Sequence, residues 1–387
     1  MPWKESRIVN ERVKFVADVL RGERTMTELC QIYGIARKTG YKWIERFNVA
    51  GPSGLEDLTH RPAICPQATP DEVVNRVLEM RYKYPTWGAR KIKARLEKVD
   101  PSVTWPAAST IGELLRRAGL VCQSKHRRHV MPSLEPCCEA TAPNHLWCMD
   151  FKGFFRCQNG HRCDALTITD AFSRFLIRCE AVRRTDYQSV DEICESAMLQ
   201  FGMPERIRTD NGVPFASSGL LGLSRLSLKW IRLGIVHERI DPGQPQQNGR
   251  HERIHRTLKE DTANPSAANL AEQQERFSRF REIYNHERPH EALALATPGS
   301  IYISSPRPYP TSHPPIEYGP DFLVRRVKTH GEFRWGKECI FISSVLGHEY
   351  IGFLPIDEDL YQVWWGQTWL GDFDAWTLKF NPRKKLY

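Results

Sequence analysis

Three carboxylates stand where divalent metal ions find ligands: Asp150 in HLWCMDFKG, Asp210 in RIRTDNGVPF and Glu252 in PGQPQQNGRHERIHRTLKE. The first two follow apolar stretches that read as strands (Leu146, Trp147 and Met149; Ile207), and the third opens a stretch that reads as a helix. Carboxylates converging from two strand ends and a helix can hold two Mg2+ ions. Such a pair activates an attacking oxygen and steadies a leaving one at a phosphodiester. A phosphodiester resists attack because it is anionic, and two dications neutralise that charge while clamping the in-line geometry. No G-x-S-x-G elbow points to a serine nucleophile instead.

The charge distribution fits a polyanionic partner. The chain of 387 residues carries a net charge of +9, and residues 1–149 hold 24 Lys and Arg against 16 Asp and Glu. The remainder holds 31 against 30. Neutralising phosphates releases counterions, so a basic region suggests nucleic acid, with an ordinary solvated surface as the alternative. The length suits roughly two to four domains. No apolar run approaches the roughly 18 residues of a membrane span. The charged start MPWKESRIVNERVK lacks the apolar stretch of a signal peptide, which predicts a cytoplasmic location and no membrane partner. Eleven cysteines without a C-x-x-C pair read as reduced, mostly buried thiols, with no zinc site of standard spacing.

The elements that must position the carboxylates follow from periodicity. Residues 1–50 read as a helix-turn-helix unit. The first helix, with Val13, Phe15, Val16, Val19 and Leu20, ends at Gly22, and Thr25 with Glu28 forms a capping box. Leu29, Ile32 and Tyr33 make an apolar stripe before the Gly34 turn. A basic helix follows, with Tyr41, Ile44 and Phe47 inward and Arg37, Lys38 and Lys42 outward, the recognition-helix pattern. Gly40 within it counts against helix by about 1 kcal/mol. After the linker GPSGLEDLTHRP, residues 69–120 read as a second helical module, started by Thr69 and Pro70, with Arg90 and Lys91 on its outer side. Residues 121–143, containing Arg127 and Arg128, read as an extended basic linker that either tracks a phosphate backbone or is merely solvated. Residues 144–296 show strands first (145–154, 162–169, 174–182), then a helix (187–201), strands at 205–209 and 235–240, and helix from 248 to about 286. A Pro-rich connector (297–318) leads to a region of period two at 319–380, read as a small β-barrel of about five strands.

The segments TDNG, PQQNG-x-x-E-R-x-H-R-T-L-K and YNHERPHEAL, with D-A-F-S-R at 170–174 between the first two Asp positions, resemble the core of bacterial insertion-sequence transposases with a retroviral-integrase-type catalytic domain. The resemblance covers roughly residues 5–380. It implies a multidomain α+β protein: helix-turn-helix modules, a ribonuclease-H-like α/β core and a C-terminal small β-barrel. It implies a polynucleotidyl transferase that uses two Mg2+ (or Mn2+) ions held by Asp150, Asp210 and Glu252. It also implies terminal inverted repeats and target DNA as substrates, a homo-oligomer assembled on double-stranded DNA, and a place in the bacterial nucleoid. A DNA-binding protein with an inactive core, or a nuclease that hydrolyses without joining, is the alternative.

On the helix from 248, Glu252, Arg256 and Lys259 share a face at i, i+4 and i+7. That places two cations beside the metal site, where DNA lies in related enzymes, or in a local Glu–Arg ion pair. His255 shares that edge as a candidate phosphate contact, and Asn248 is a helix cap or a DNA contact. Asp170 resembles the turn-supporting Asp of relatives, and Arg288, Pro289 and His290 the structural end of the core's last helix. One departure is the spacing: 41 residues separate Asp210 from Glu252, where 35 is most often found in relatives. A longer surface loop in ASSGLLGLSRLSLKW would absorb the difference at small entropic cost.

Overall fold

Apolar residues spaced three and four apart make helices whose buried faces need partners, and in the N-terminal part those partners are each other. The computed structural model describes residues 8–57, 68–121, 138–241 and 249–383. The chain divides into two units, Met1–Ala68 and Thr69–Tyr387. In the first, α1 (Ile8–Arg21), α2 (Met26–Ile32) and α3 (Arg37–Ala50) enclose Phe15, Val16, Leu29, Cys30, Trp43 and Leu55. The Thr25–Glu28 capping box forms as the sequence predicts. Arg37, Lys38 and Lys42 lie exposed along α3. Tyr41, expected inward, is exposed, and Trp43 takes the core position, its ring covered by the Arg12 guanidinium at 3.9 Å. The linker expected from residue 51 instead begins as a 3-10 turn, Gly51–Leu55, that buries Leu55.

Gly40, an apparent flaw in the recognition helix, is what lets α3 pack. A Cβ there would sit 2.8 Å from Cys30 Sγ and 3.0 Å from the Phe15 ring. Gly40→Val is therefore expected to destabilise this unit by about 1–3 kcal/mol through overpacking. Glu45→Val, on the exposed side, should cost less than about 1 kcal/mol. Thermal unfolding of the full chain would separate the two, and equal losses would refute the packing role.

In the second unit, α4 (Asp71–Lys83), α5 (Ala89–Val99) and α6 (Ala108–Arg117) close around Val77, Trp87, Ile92, Leu96, Trp105, Ile111 and Leu115. Pro70 stands at the N-cap of α4, one position earlier than expected, without a side-chain cap.

The central sheet is built from β1 (Leu146–Arg156), β2 (Arg162–Asp170), β3 (Leu176–Val182), β4 (Arg206–Thr209) and β5 (Val236–Arg239), in the order β3-β2-β1-β4-β5. The first three strands are antiparallel, and β4 runs parallel to β1 and β5. Alternating side chains give the sheet two buried faces. One packs Trp147, Met149, Ile168 and Ile207 against α7 (Tyr187–Phe201) and α8 (Arg225–Arg232). The other packs Cys163, Ala165 and Cys179 against α9 (Gly249–Leu258) and α10 (Leu270–Glu282).

Three expectations change here. ASSGLLGLSRLSLKW is not a plain surface loop: Ser224 caps α8, and Leu226 and Trp230 enter the core. The helix expected from 248 to 286 is interrupted between the π-helical turn Lys259–Ala263 and α10, across Asn264 and Pro265. Proline has no N–H for the helical ladder, so a break at this point follows from its chemistry. The Pro-rich connector is pinned to the core, with Arg307 donating to the carbonyls of Pro204, Leu233 and Gly234.

Among the described residues, the C-terminal region forms no closed barrel. Strands β6 (Leu323–Arg326), β9 (Tyr350–Pro355), β10 (Leu360–Trp365), β11 (Thr368–Asp374) and β12 (Lys379–Pro382) make an open sheet in the order β12-β11-β10-β9-β6, while β7 (Glu332–Trp335) and β8 (Glu338–Phe341) form a separate hairpin. A barrel would require β12 to pair with β6. Here the aromatic face is covered instead. Phe333 and Trp335 of the hairpin lie over Phe353 and Phe373, and Leu221, Leu223 and Leu228 of the core join the same cluster. Part of the added length between Asp210 and Glu252 thus serves as a docking knob for the C-terminal sheet.

Candidate active site

Parallel pairing of β1 with β4 sets two of the three carboxylates side by side. Cys148 is opposite Arg208 in that ladder, and Asp150 and Asp210 each follow two residues later, toward the same carboxyl edge of the sheet. Asp210 accepts the Gly212 N–H at 3.0 Å, and Asn211 donates to Ile240 O at 2.6 Å, which ties down the turn that presents it. Glu252, in the first turn of α9, is exposed. Burial pushes Asp150 up to about 7, with the charges of Asp210 and then Glu252 adding to the rise and the Phe151 N–H opposing it. The three expected carboxylates therefore share one electrostatic neighbourhood.

Two histidines join them. On α9, His251 and His255 turn inward with Ile254 and Leu258, and the histidines are 1% and 9% exposed. Thr167 Oγ1, on β2 opposite Asp150, lies 2.5 Å from His251 Nε2 and 2.8 Å from His255 Nε2. Thr169 Oγ1 lies 3.2 Å from His251 Nδ1. His255 Nδ1 is 3.9 Å from Asp150 Oδ2. Burial lowers both imidazoles, His255 to about 4, with the Lys152 charge as a smaller cause. At neutral pH His255 is therefore uncharged, and its contact with Asp150 is not an ion pair. Donor atoms of Asp150, His251 and His255 all lie within 4.8 Å of one another and could hold a metal ion. His251 was missed in the sequence. The signal was its i, i+3, i+4, i+7 spacing with Ile254, His255 and Leu258, the period of an inward face.

The remaining sequence candidates divide. Arg256 and Lys259 are exposed, on the same helical run as Glu252. His255, expected on that open edge, is buried against the sheet because the rotation of α9 that exposes Glu252 turns it inward. Arg90 is exposed and 3.8 Å from Glu291. Lys91, expected outward, is half-buried, and burial and then Arg288 push its pKa down to about 8. The cause is docking of the second helical module on the end of the core, where Tyr84 donates to Glu287 and Arg95 pairs with it at 3.2 Å. Asn248, Arg127 and Arg128 lie outside the described residues. Asp170 is fully buried in its turn and accepts from Asn144 and Ser173, a structural role as expected.

Models of the integrase core domain match residues 140–245 and 233–298. Residues 140–298 are an integrase core. A helix-turn-helix domain model matches residues 11–63, and a homeodomain-like model matches residues 39–115. The chain is 26% identical over 252 residues to the "Insertion element IS476 uncharacterized 39.2 kDa protein" of Xanthomonas euvesicatoria, covering 64% of this chain and 70% of that one. It is 27% identical over 229 residues to the "Insertion element IS407 uncharacterized 31.7 kDa protein" of Burkholderia multivorans, covering 58% and 79%. It is also 28% identical over 191 residues to the Gag-Pol polyprotein of baboon endogenous virus, covering 49% of this chain and 10% of the polyprotein. The integrase core is thus related to those of insertion elements and of retroviruses. It has the catalytic-core fold typical of DDE enzymes, accompanied by helix-turn-helix modules with the capacity to bind DNA. Among the described residues, no helix is long and apolar enough to cross a membrane.

Proposed function

We propose that this chain is a divalent-metal-dependent DNA transposase. In this reading its helix-turn-helix modules bind the terminal inverted repeats of an insertion sequence. The integrase core cleaves the phosphodiester at the element ends and joins the 3′-OH to target DNA. What supports the reading is the parallel pairing of β1 with β4, which sets Asp150 and Asp210 on neighbouring chain segments, together with the contribution of the Asp210 and Glu252 charges to the raised pKa of Asp150. Carboxylates that destabilise one another's charge are a donor set suited to hard dications, so the residues fit Mg2+ or Mn2+. Asp150 and Asp210 would share one ion and Glu252 would complete a second site, supplying an activated water or 3′-OH and neutralising the leaving oxygen.

The chain's own contribution is placement. Asp150 stands within β1 and Asp210 directly follows the last residue of the neighbouring β4, in a turn tied down by the Asn211 side chain, so a short rigid path through the sheet relates the two. Arg256 and Lys259 follow Glu252 on one helix and would grip the phosphates of the DNA end next to the carboxylates. His251 and His255, held neutral by burial, anchor that helix to β2 without adding positive charge. Joining two element ends at one target calls for at least two protomers on the DNA, consistent with a homo-oligomer working on the bacterial nucleoid.

The test is a strand-transfer assay with purified protein, Mg2+ and labelled element-end DNA. The wild type should give joined products, and Asp210→Asn should lose at least about 10^3 of the rate, roughly 4 kcal/mol. Specific end binding without cleavage by either protein would favour an inactive DNA-binding protein. Cleavage without joining would favour a nuclease.

A further inference from the structure

We infer that His255 is a nitrogen ligand of the metal ion bound at Asp150, and that His251 is a positioning residue rather than a ligand, so that this site favours Mn2+ over Mg2+. The inference rests on the metal-dependent reading above and concerns which atoms hold the ion.

Thr167 Oγ1 has one hydrogen and three polar neighbours: Asp150 O at 3.2 Å and the Nε2 atoms of His251 and His255. A carbonyl oxygen can only accept, so the hydroxyl hydrogen goes to Asp150 O. Both Nε2 atoms must then carry hydrogen and donate to the two lone pairs of Oγ1. With Nε2 protonated, His251 Nδ1 is an acceptor and takes the Thr169 hydroxyl hydrogen. One tautomer assignment for neutral rings satisfies all four contacts, and it commits both nitrogens of His251. It leaves the Nδ1 lone pair of His255, 3.9 Å from Asp150 Oδ2.

A lone pair beside an ionised carboxylate oxygen is repelled by it, and a cation between the two relieves that repulsion while leaving the carboxylate charged. Two donors at about 2.1 Å from a common ion are roughly 3–4 Å apart, so the observed separation fits one shared ion. Which imidazole nitrogen binds metal is set by the hydrogen bond of the other, and Thr167 supplies that bond here. Mg2+ takes oxygen ligands almost exclusively, whereas imidazole suits first-row transition ions. Replacing one oxygen by His255 Nδ1 therefore shifts preference toward Mn2+.

The test is pulsed electron paramagnetic resonance of Mn2+ added to the full-length protein, with Mg2+ competition to read the affinity ratio. We expect a 14N coupling from directly bound imidazole in the wild type. It should vanish in His255→Gln and persist in the exposed-site control His286→Gln. The Mn2+ over Mg2+ preference should fall at least about tenfold in His255→Gln and in Thr167→Val, with Thr167→Ser retaining it. The coupling in the wild type is informative even where a variant fails to fold. Mn2+ binding that Asp150→Asn removes but that shows no 14N coupling would overturn the His255 assignment and leave the metal-dependent reading standing. No Mn2+ binding, or binding that Asp150→Asn does not alter, would overturn both.

Discussion

Asp150→Asn is expected to yield a protein inert in strand transfer yet more stable than the wild type when divalent metal is absent. Burial together with the charges of Asp210 and Glu252 raises Asp150 from 3.8 to about 7. A carboxyl group whose folded value exceeds its unfolded value keeps its proton on folding. Its contribution is then fully favourable below about pH 4 and is lost as pH rises through about 7. The gap amounts to roughly 4 kcal/mol. Apo wild type should therefore lose stability between about pH 4 and 7, a slope that Asn, which cannot ionise, removes. At pH 8 the variant should unfold at a higher urea concentration than the wild type. Millimolar Mg2+ or Mn2+ should then stabilise the wild type and leave the variant unchanged. Urea melts across this pH range, with and without metal, measure both effects. A variant with the wild-type pH slope would show that Asp150 is not the strained carboxylate.

How much of this was legible in the sequence depends on how local the encoding is. Asp150 and Asp210 could be found because each follows an apolar run, although β1 continues past Asp150 to Arg156 and only Asp210 stands at a strand end, and the capping box of α2 because its three-residue spacing is its geometry. Gly40 was misjudged because helix propensity is a property of one helix. The cost of a side chain there is set by Cys30 and Phe15, which come from other helices. His255 sits next to Arg256 in a charged run, yet the helical face it shares with Ile254 and Leu258 decides its burial. The C-terminal strands were readable from their period of two, but whether β12 meets β6 is a tertiary fact that alternation does not carry. Similarly, nothing local in ASSGLLGLSRLSLKW says that Leu221 and Leu223 belong to the core of the following domain rather than to a loop.

Asp170→Ala is expected to cost about 3–5 kcal/mol and to act on folding, not on the chemistry. Asp170 is 0% exposed, and it accepts from Asn144 N at 2.8 Å, Ser173 N at 2.7 Å and Ser173 Oγ at 2.6 Å. Alanine would strand those donors in a space too closed for water to replace the carboxylate. The loss would spread, because Asn144 is itself a hub. Its side chain accepts from Trp147 Nε1 at 3.0 Å and from the Tyr302 hydroxyl at 2.8 Å, and donates to Ile303 O at 2.7 Å. The turn after β2, the entry to β1 and the Pro-rich connector are thereby fastened at one point. Asp170→Asn, which keeps one acceptor oxygen, should fall between alanine and wild type in urea melts. The melts should be paired with strand-transfer rates per folded molecule, taken at a temperature where the variant is native. An unchanged rate is the outcome expected of a residue that only builds the scaffold. A fully folded Asp170→Asn protein that had lost strand transfer would instead place Asp170 in the catalytic machinery, and the assignment of three carboxylates would have to be redrawn.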